Sequence, residues 1–103
     1  MVYVKKIKVE NYDDFLKMAQ TQKFTISQAI VDAILTNLET TRKEVPIFEI
    51  EVESEGIDVT LSVQTEEFID TLETNLLHYE NEEAYEGCQK IIEAINYLKT
   101  KNG

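Results

Sequence analysis

The side chains best suited to acid–base, nucleophilic or metal chemistry are twenty carboxylates, one histidine and one cysteine. A catalytic carboxylate pair needs surroundings that push the two pKa values apart, which requires burial of at least one member. Glu49, Glu51, Glu53 and Asp58 instead alternate with apolar residues, which places them on the wet side of paired strands. No Asp-rich loop has calcium-binding spacing, and no acid stands at ligand spacing from a histidine. His78 comes late in a helical segment, between Leu77 and Tyr79, with no nucleophile elbow in the chain. There its charge suits the negative end of the helix. Cys88 occupies a position in an apolar stripe, which makes it a small core residue. Being alone, it excludes an internal disulfide and a multi-cysteine zinc site, and it suits a reducing compartment. Gly56 and Gly87 are isolated and Gly103 is terminal, so no glycine loop cradles a phosphate. No catalytic residue, metal ligand or cofactor is expected, and the chain reads as a non-enzyme.

The carboxylates matter more for where they stand. The 103 residues carry ten Lys and Arg against twenty Asp and Glu, a net charge of −10. Residues 1–43 hold seven bases and five acids, whereas residues 44–89 hold fourteen acids and no Lys or Arg. Solubility alone is served by mixed charge, so a block of one sign needs another reason. The balance argues against direct binding of nucleic acid or anionic membrane, both of which demand clustered positive charge. It suits a basic protein partner. The acids placed to meet one are Glu49, Glu51, Glu53 and Asp58 on strands, and Glu82, Glu83 and Glu86 near the last helix.

These groups need a scaffold, and its outline is legible. Residues 2–9 read as a strand. Asn11 caps a short helix over 12–20, with Tyr12, Phe15, Leu16 and Ala19 on one face. Thr25 and Gln28 have capping-box spacing, and Phe24 and Ala29 form a hydrophobic staple, predicting a second helix to about Thr41. Its apolar residues form two stripes, one through Ile30 and Ile34 and one through Val31 and Leu35. Phe48 to Glu53 alternates with period two, and the alternation resumes from Ile57 to Val63 after Ser54-Glu55-Gly56. This predicts a β-hairpin over 47–64, with Pro46 blocking its upstream extension. Thr65 is expected to cap a third helix near 66–79, with Phe68, Leu72, Leu76 and Tyr79 inward. Asn81 then restarts the chain as a fourth helix near 82–99. The expected fold is α+β: one small domain over 1–103, of order βααββαα, with a short antiparallel sheet and its hairpin packed against four helices.

Two local patterns bear on function. The first two helices, joined near Thr21–Phe24, have helix-turn-helix spacing, but the second offers only Gln28, Asp32 and Asn37 before its first cations, Arg42 and Lys43. Reading base edges needs more than that. Residues 72–98, LETNLLHYENEEAYEGCQKIIEAINYL, resemble the UVR motif, the helical hairpin of bacterial nucleotide-excision-repair proteins and some protease adaptors. Leu72, Tyr85-Glu86, Cys88 at a small-residue position, Ile91, Ile95 and Leu98 carry the resemblance, over about a quarter of the chain. Where that family has paired small residues followed by Arg-Asp, this chain has Cys88-Gln89 and later Ile92-Glu93. The resemblance implies a hairpin that docks another protein's hairpin, rather than an activity.

Two functional expectations follow. The first is an acidic protein-binding module, in its extreme form an inhibitor that fills a nucleic-acid channel as a charge mimic. In size and charge alone it resembles small acidic phage proteins that block nucleases, restriction enzymes or polymerases. Lys5, Lys6 and Lys8 compete with this expectation, because a first strand lying beside Glu49, Glu51 and Glu53 would neutralise part of the face. The second expectation is a structural protein that self-associates through apolar surface at Val31, Leu35 and Tyr97, with Ile92 also off its helix's main stripe. The chain lacks an apolar run of membrane-spanning length and a signal-peptide core, so a cytoplasmic location is expected.

Overall fold

The computed structural model describes residues 5–102, so residues 2–4 of the expected first strand lie outside it. The chain forms β1 (Lys5–Val9), α1 (Tyr12–Thr21), α2 (Lys23–Leu35), β2 (Glu44–Val52) and β3 (Ile57–Gln64). A 3₁₀ turn over Thr65–Glu67 then leads into α3 (Phe68–Asn81) and α4 (Tyr85–Asn102). The fold is α+β in the order expected.

The sheet has the order β1-β2-β3, and it is mixed rather than antiparallel. β2 and β3 pair antiparallel, as a hairpin must, but β1 lies parallel to β2, with Ile7 opposite Ile50 and Val9 opposite Val52. The long helical crossover through α1 and α2 carries the chain back to the end from which it started, so β2 runs in the same direction as β1. Asn11 makes the entry to that crossover, its Oδ1 accepting from the Asp14 N–H at 3.0 Å.

β2 begins at Glu44, upstream of the proline expected to stop it. Pro46 sits opposite Ser62 and Phe48 opposite Leu61, leaving Ile47 as the extra residue of a bulge. Described pairing with β1 starts only at Phe48, past the proline. The bulge flips the parity of the strand. Val45 and Phe48, three residues apart, therefore both face the helices and are buried. Without it, Val45 would point to the same side as Glu49.

Two clusters fill the space between sheet and helices. Phe15 of α1 packs edge-on against Phe48, their centroids 6.4 Å apart, over Ile50 and Val52. The larger cluster joins Val45 and Val63 of the sheet to Val31 and Ile34 of α2, Phe68, Leu72 and Tyr79 of α3, and Ile91, Ile95 and Leu98 of α4. α2 runs between the two, with Ile26 and Ala29 toward the first and Ile30 and Leu35 packed on the second, joined there by Leu38 of the following loop. Ser27 crosses the interface with α3. Its buried hydroxyl donates to Asn75 Oδ1 at 2.7 Å, and Asn75 Nδ2 donates to the Thr71 carbonyl at 2.8 Å, so both buried polar groups are matched.

Both ends of α2 depart from expectation. It starts at Lys23, only Gln22 separating it from α1, and the Thr25–Gln28 box is unused because those residues already lie inside the helix. It stops at Leu35, not Thr41. Thr36 Oγ1 donates to the Asp32 carbonyl and Asn37 Nδ2 to the Ala33 carbonyl, so side chains take acceptors that end the helix. Thr65 likewise does not cap α3. Its hydroxyl donates to the Arg42 carbonyl at 2.6 Å, tying the β2 approach to the 3₁₀ turn.

The turn between α3 and α4 is a Schellman motif. The Ala84 N–H reaches the Tyr79 carbonyl and the Glu83 N–H reaches the Glu80 carbonyl, with Glu83 at φ +56°. Glycine usually holds that left-handed position. Four residues on, Gly87 is needed for a different reason: a Cβ there would overlap the Cε2 edge of the buried Tyr79 ring. The ring also meets Phe24 edge-on at 5.0 Å, so it is held from two sides.

Candidate partner-binding surface

The solvent face of the sheet is built in rows across the three strands. Lys6, Glu49 and Thr60 form one row, and Lys8, Glu51 and Asp58 the next. As the period-two pattern requires, Glu51, Glu53 and Asp58 are exposed while Phe48, Ile50 and Val52 are buried. Glu49 is half-buried. Lys5 falls opposite Phe48, not opposite a glutamate. Lys8 Nζ lies 2.9 Å from Glu53 Oε1, and Lys6 Nζ lies 4.0 Å from Glu49 Oε1. The hydrogen bond and charge of Glu53, with the charge of Glu51, raise the Lys8 pKa above its ordinary value. The hairpin's acids are therefore answered in part by the chain's own first strand.

Glu82, Glu83 and Glu86 are exposed around the α3–α4 turn. Each has a local backbone role. Glu82 caps α3, Glu83 holds the left-handed position, and Glu86 sits in the first turn of α4, where the helix dipole favours an acid.

Three acids that sequence reasoning passed over sit in a more open setting. Asp70, Glu73 and Glu80 lie on the side of α3 opposite Phe68, Leu72 and Tyr79; all are exposed, and among the described residues none makes an ion pair. Leu77, 62% exposed, stands between Glu73 and Glu80 on the same side. The signal was available. Spacings of three, four and three from Asp70 through Glu73 and Leu77 to Glu80 mark one helix face, the outward counterpart of the apolar positions.

The three residues expected to form a self-association surface differ in exposure: Tyr97 is exposed, Leu35 half-buried and Val31 buried. Val31 is 2% exposed, and Leu35 packs on the same core within a single chain, because α2 is covered by the sheet on one side and by α3 and α4 on the other. Val31 is thereby closed to a second copy. Tyr97 has an intramolecular partner too, its hydroxyl donating to Glu39 Oε1. Lys101 Nζ donates to the Leu38 carbonyl at 3.1 Å and lies 3.9 Å from Glu39 Oε2, so this flank of α4 holds the loop after α2.

His78 is half-buried near the end of α3, and Cys88 is a buried free thiol beside the Tyr79 ring. Burial first, then the charge of Asp32 and the nearby thiol, push the Tyr79 phenol up to about 12. Among the described residues no three His, Cys, Asp or Glu side chains converge to cage a metal, and no helix is long and apolar enough to cross a membrane. Comparison with protein-family models, curated proteins and solved structures finds no match to this chain. Of the residues behind the UVR resemblance, Leu72, Cys88, Ile91, Ile95 and Leu98 are interior packing of the hairpin, while Tyr85 and Glu86 are exposed. The interior positions explain how the hairpin closes, not what it meets.

Proposed function

We propose that this chain is a small acidic module that binds a basic protein, with inhibition of a nucleic-acid-binding protein by charge mimicry as its extreme form. One observation supports this above others. Of the fourteen acids in residues 44–89, only Glu49 and Glu53 form ion pairs among the described residues, leaving twelve facing solvent or backbone. Uncompensated like charge destabilises a compact chain through self-repulsion, and a cationic partner relieves it while speeding encounter. Burial of Val31, with Leu35 partly buried against the same core, weakens the competing reading of a self-assembling structural protein.

The test is capture of partners from the native host, followed by association kinetics of each purified partner across a salt series. The expected partner is basic, and its association rate falls about tenfold or more as salt rises through the physiological range. A partner that is neutral or acidic, or one whose association ignores salt, refutes the reading.

A further inference from the structure

We propose that the outer face of the α3–α4 hairpin is the docking surface, and that it receives a basic amphipathic helix of the partner protein. This rests on the acidic-module reading above and adds the place and the shape of what binds. The two flanks of α4 differ. One, through Tyr97 and Lys101, reaches the Leu38–Glu39 loop. The other carries Tyr85 and Ile92, seven residues apart on one helix face, 69% and 47% exposed. Because the first flank turns toward the end of α2, the second turns away from it.

The hairpin thus presents an apolar rail on α4, Tyr85 and Ile92, and an acidic rail on α3, Asp70, Glu73 and Glu80, with Leu77 among the acids. Two turns of helix separate Tyr85 from Ile92, about 10 Å, and packed helices stand roughly 8–10 Å apart. An amphipathic helix with apolar anchors at i and i+7 and Lys or Arg along one border matches both rails at once. Charge complementarity selects the occupant. A second copy of this chain would set acids against acids along α3, whereas a basic helix satisfies them.

The probe is a labelled Leu/Lys peptide of about five helical turns with its leucines on one face, compared by fluorescence anisotropy with a scrambled peptide of identical composition. The amphipathic peptide is expected to bind about tenfold tighter than the scrambled one. Leu77→Ser with Ile92→Ser, both exposed positions, should erase that advantage while leaving the thermal midpoint in place. Asp70→Asn, Glu73→Gln and Glu80→Gln together should weaken both peptides and flatten their salt dependence. Equal affinity for the two peptides would overturn the docking surface and leave the acidic-module reading intact. Binding that survives both sets of changes but disappears with Glu51→Gln and Glu53→Gln would move the site to the sheet, with the same consequence. Absence of binding by either peptide would overturn both readings. Self-association that is abolished by the Leu77 and Ile92 changes would make a second copy the occupant and overturn the proposal.

Discussion

The solvent face of the sheet and the outer face of α3 are both rows of carboxylates, yet they stand in different company. On the sheet, Lys6 and Lys8 of the parallel first strand reach Glu49 and Glu53, and Glu51 shares a row with Lys8. On α3, Asp70, Glu73 and Glu80 surround an exposed leucine, and no described cation pairs with them. Acidity alone therefore marks no site. What separates a structural carboxylate from one left available is whether the fold brings it a counter-charge, and here a strand distant in sequence does so for only one of the two faces.

The strongest way to break the comparison is to remove the floor beneath each face. Phe48→Ala under the sheet and Phe68→Ala under α3 should each cost roughly 3–5 kcal/mol, read from urea unfolding. If the two faces belong to one cooperative unit, both variants keep a single transition; two separated transitions would mean that the faces fold independently. Gly87→Ala comes next. Its Cβ would overlap the Tyr79 ring, so despite alanine's better helix propensity it should destabilise by about 1–3 kcal/mol. Tyr79→Leu should restore most of that loss in the double variant, and a Gly87→Ala protein as stable as the parent would deny the close contact.

Alkaline titration probes the same ring. The folded-state pKa of Tyr79, about 12, lies above the ordinary 10.0 expected once the chain unfolds. The folded state thus holds the proton more tightly, and this contribution is complete below pH 10 and lost as pH rises toward 12. Phenolate absorbance of the folded protein should place the ionisation of Tyr79 well above pH 10, assigned by its loss in Tyr79→Phe, and ionisation of that ring near pH 10 would contradict its burial.

Binding sharpens the comparison directly. Neutralising Asp70, Glu73 and Glu80 should slow association with a basic partner more than neutralising Glu49, Glu51 and Glu53, because two of the latter already hold lysines. The reverse order would return the site to the sheet. The smallest effect is expected at Glu83→Gly, which releases a side chain from the left-handed region and should stabilise by about 0.5–1 kcal/mol, offset in part by glycine's greater freedom when unfolded. A loss of stability there would show the Glu83 side chain contributing elsewhere.

What could be read from the sequence follows the range of each interaction. The hairpin face was legible because period two needs only neighbours, and the alternation from Phe48 to Glu53 decides which side is wet. The bulge was not, since Val45-Pro46-Ile47-Phe48 is apolar at both parities and only pairing with Ser62 and Leu61 shows which residue is extra. The direction of β1 depends on the crossover, not on its own residues. The two stripes of α2 are legible in its residues, but one chain packs against both, which no local pattern states. Asn75 is a polar residue on the inner face of α3, and its partner Ser27 stands 48 residues away, beyond the reach of any local pattern.

The parallel attachment of β1 has a dynamic consequence. In the described residues it is a five-residue edge strand whose pairing closes the whole α1–α2 excursion, and such segments open at lower free energy than the core they border. When β1 lifts, Lys6 and Lys8 leave together, and the sheet gains a free hydrogen-bonding edge along β2 at the moment it loses its cations. Amide exchange at Ile7 and Val9 faster than at Ile50 and Val59 would register that opening, and its dependence on salt would report how much of the latch is electrostatic.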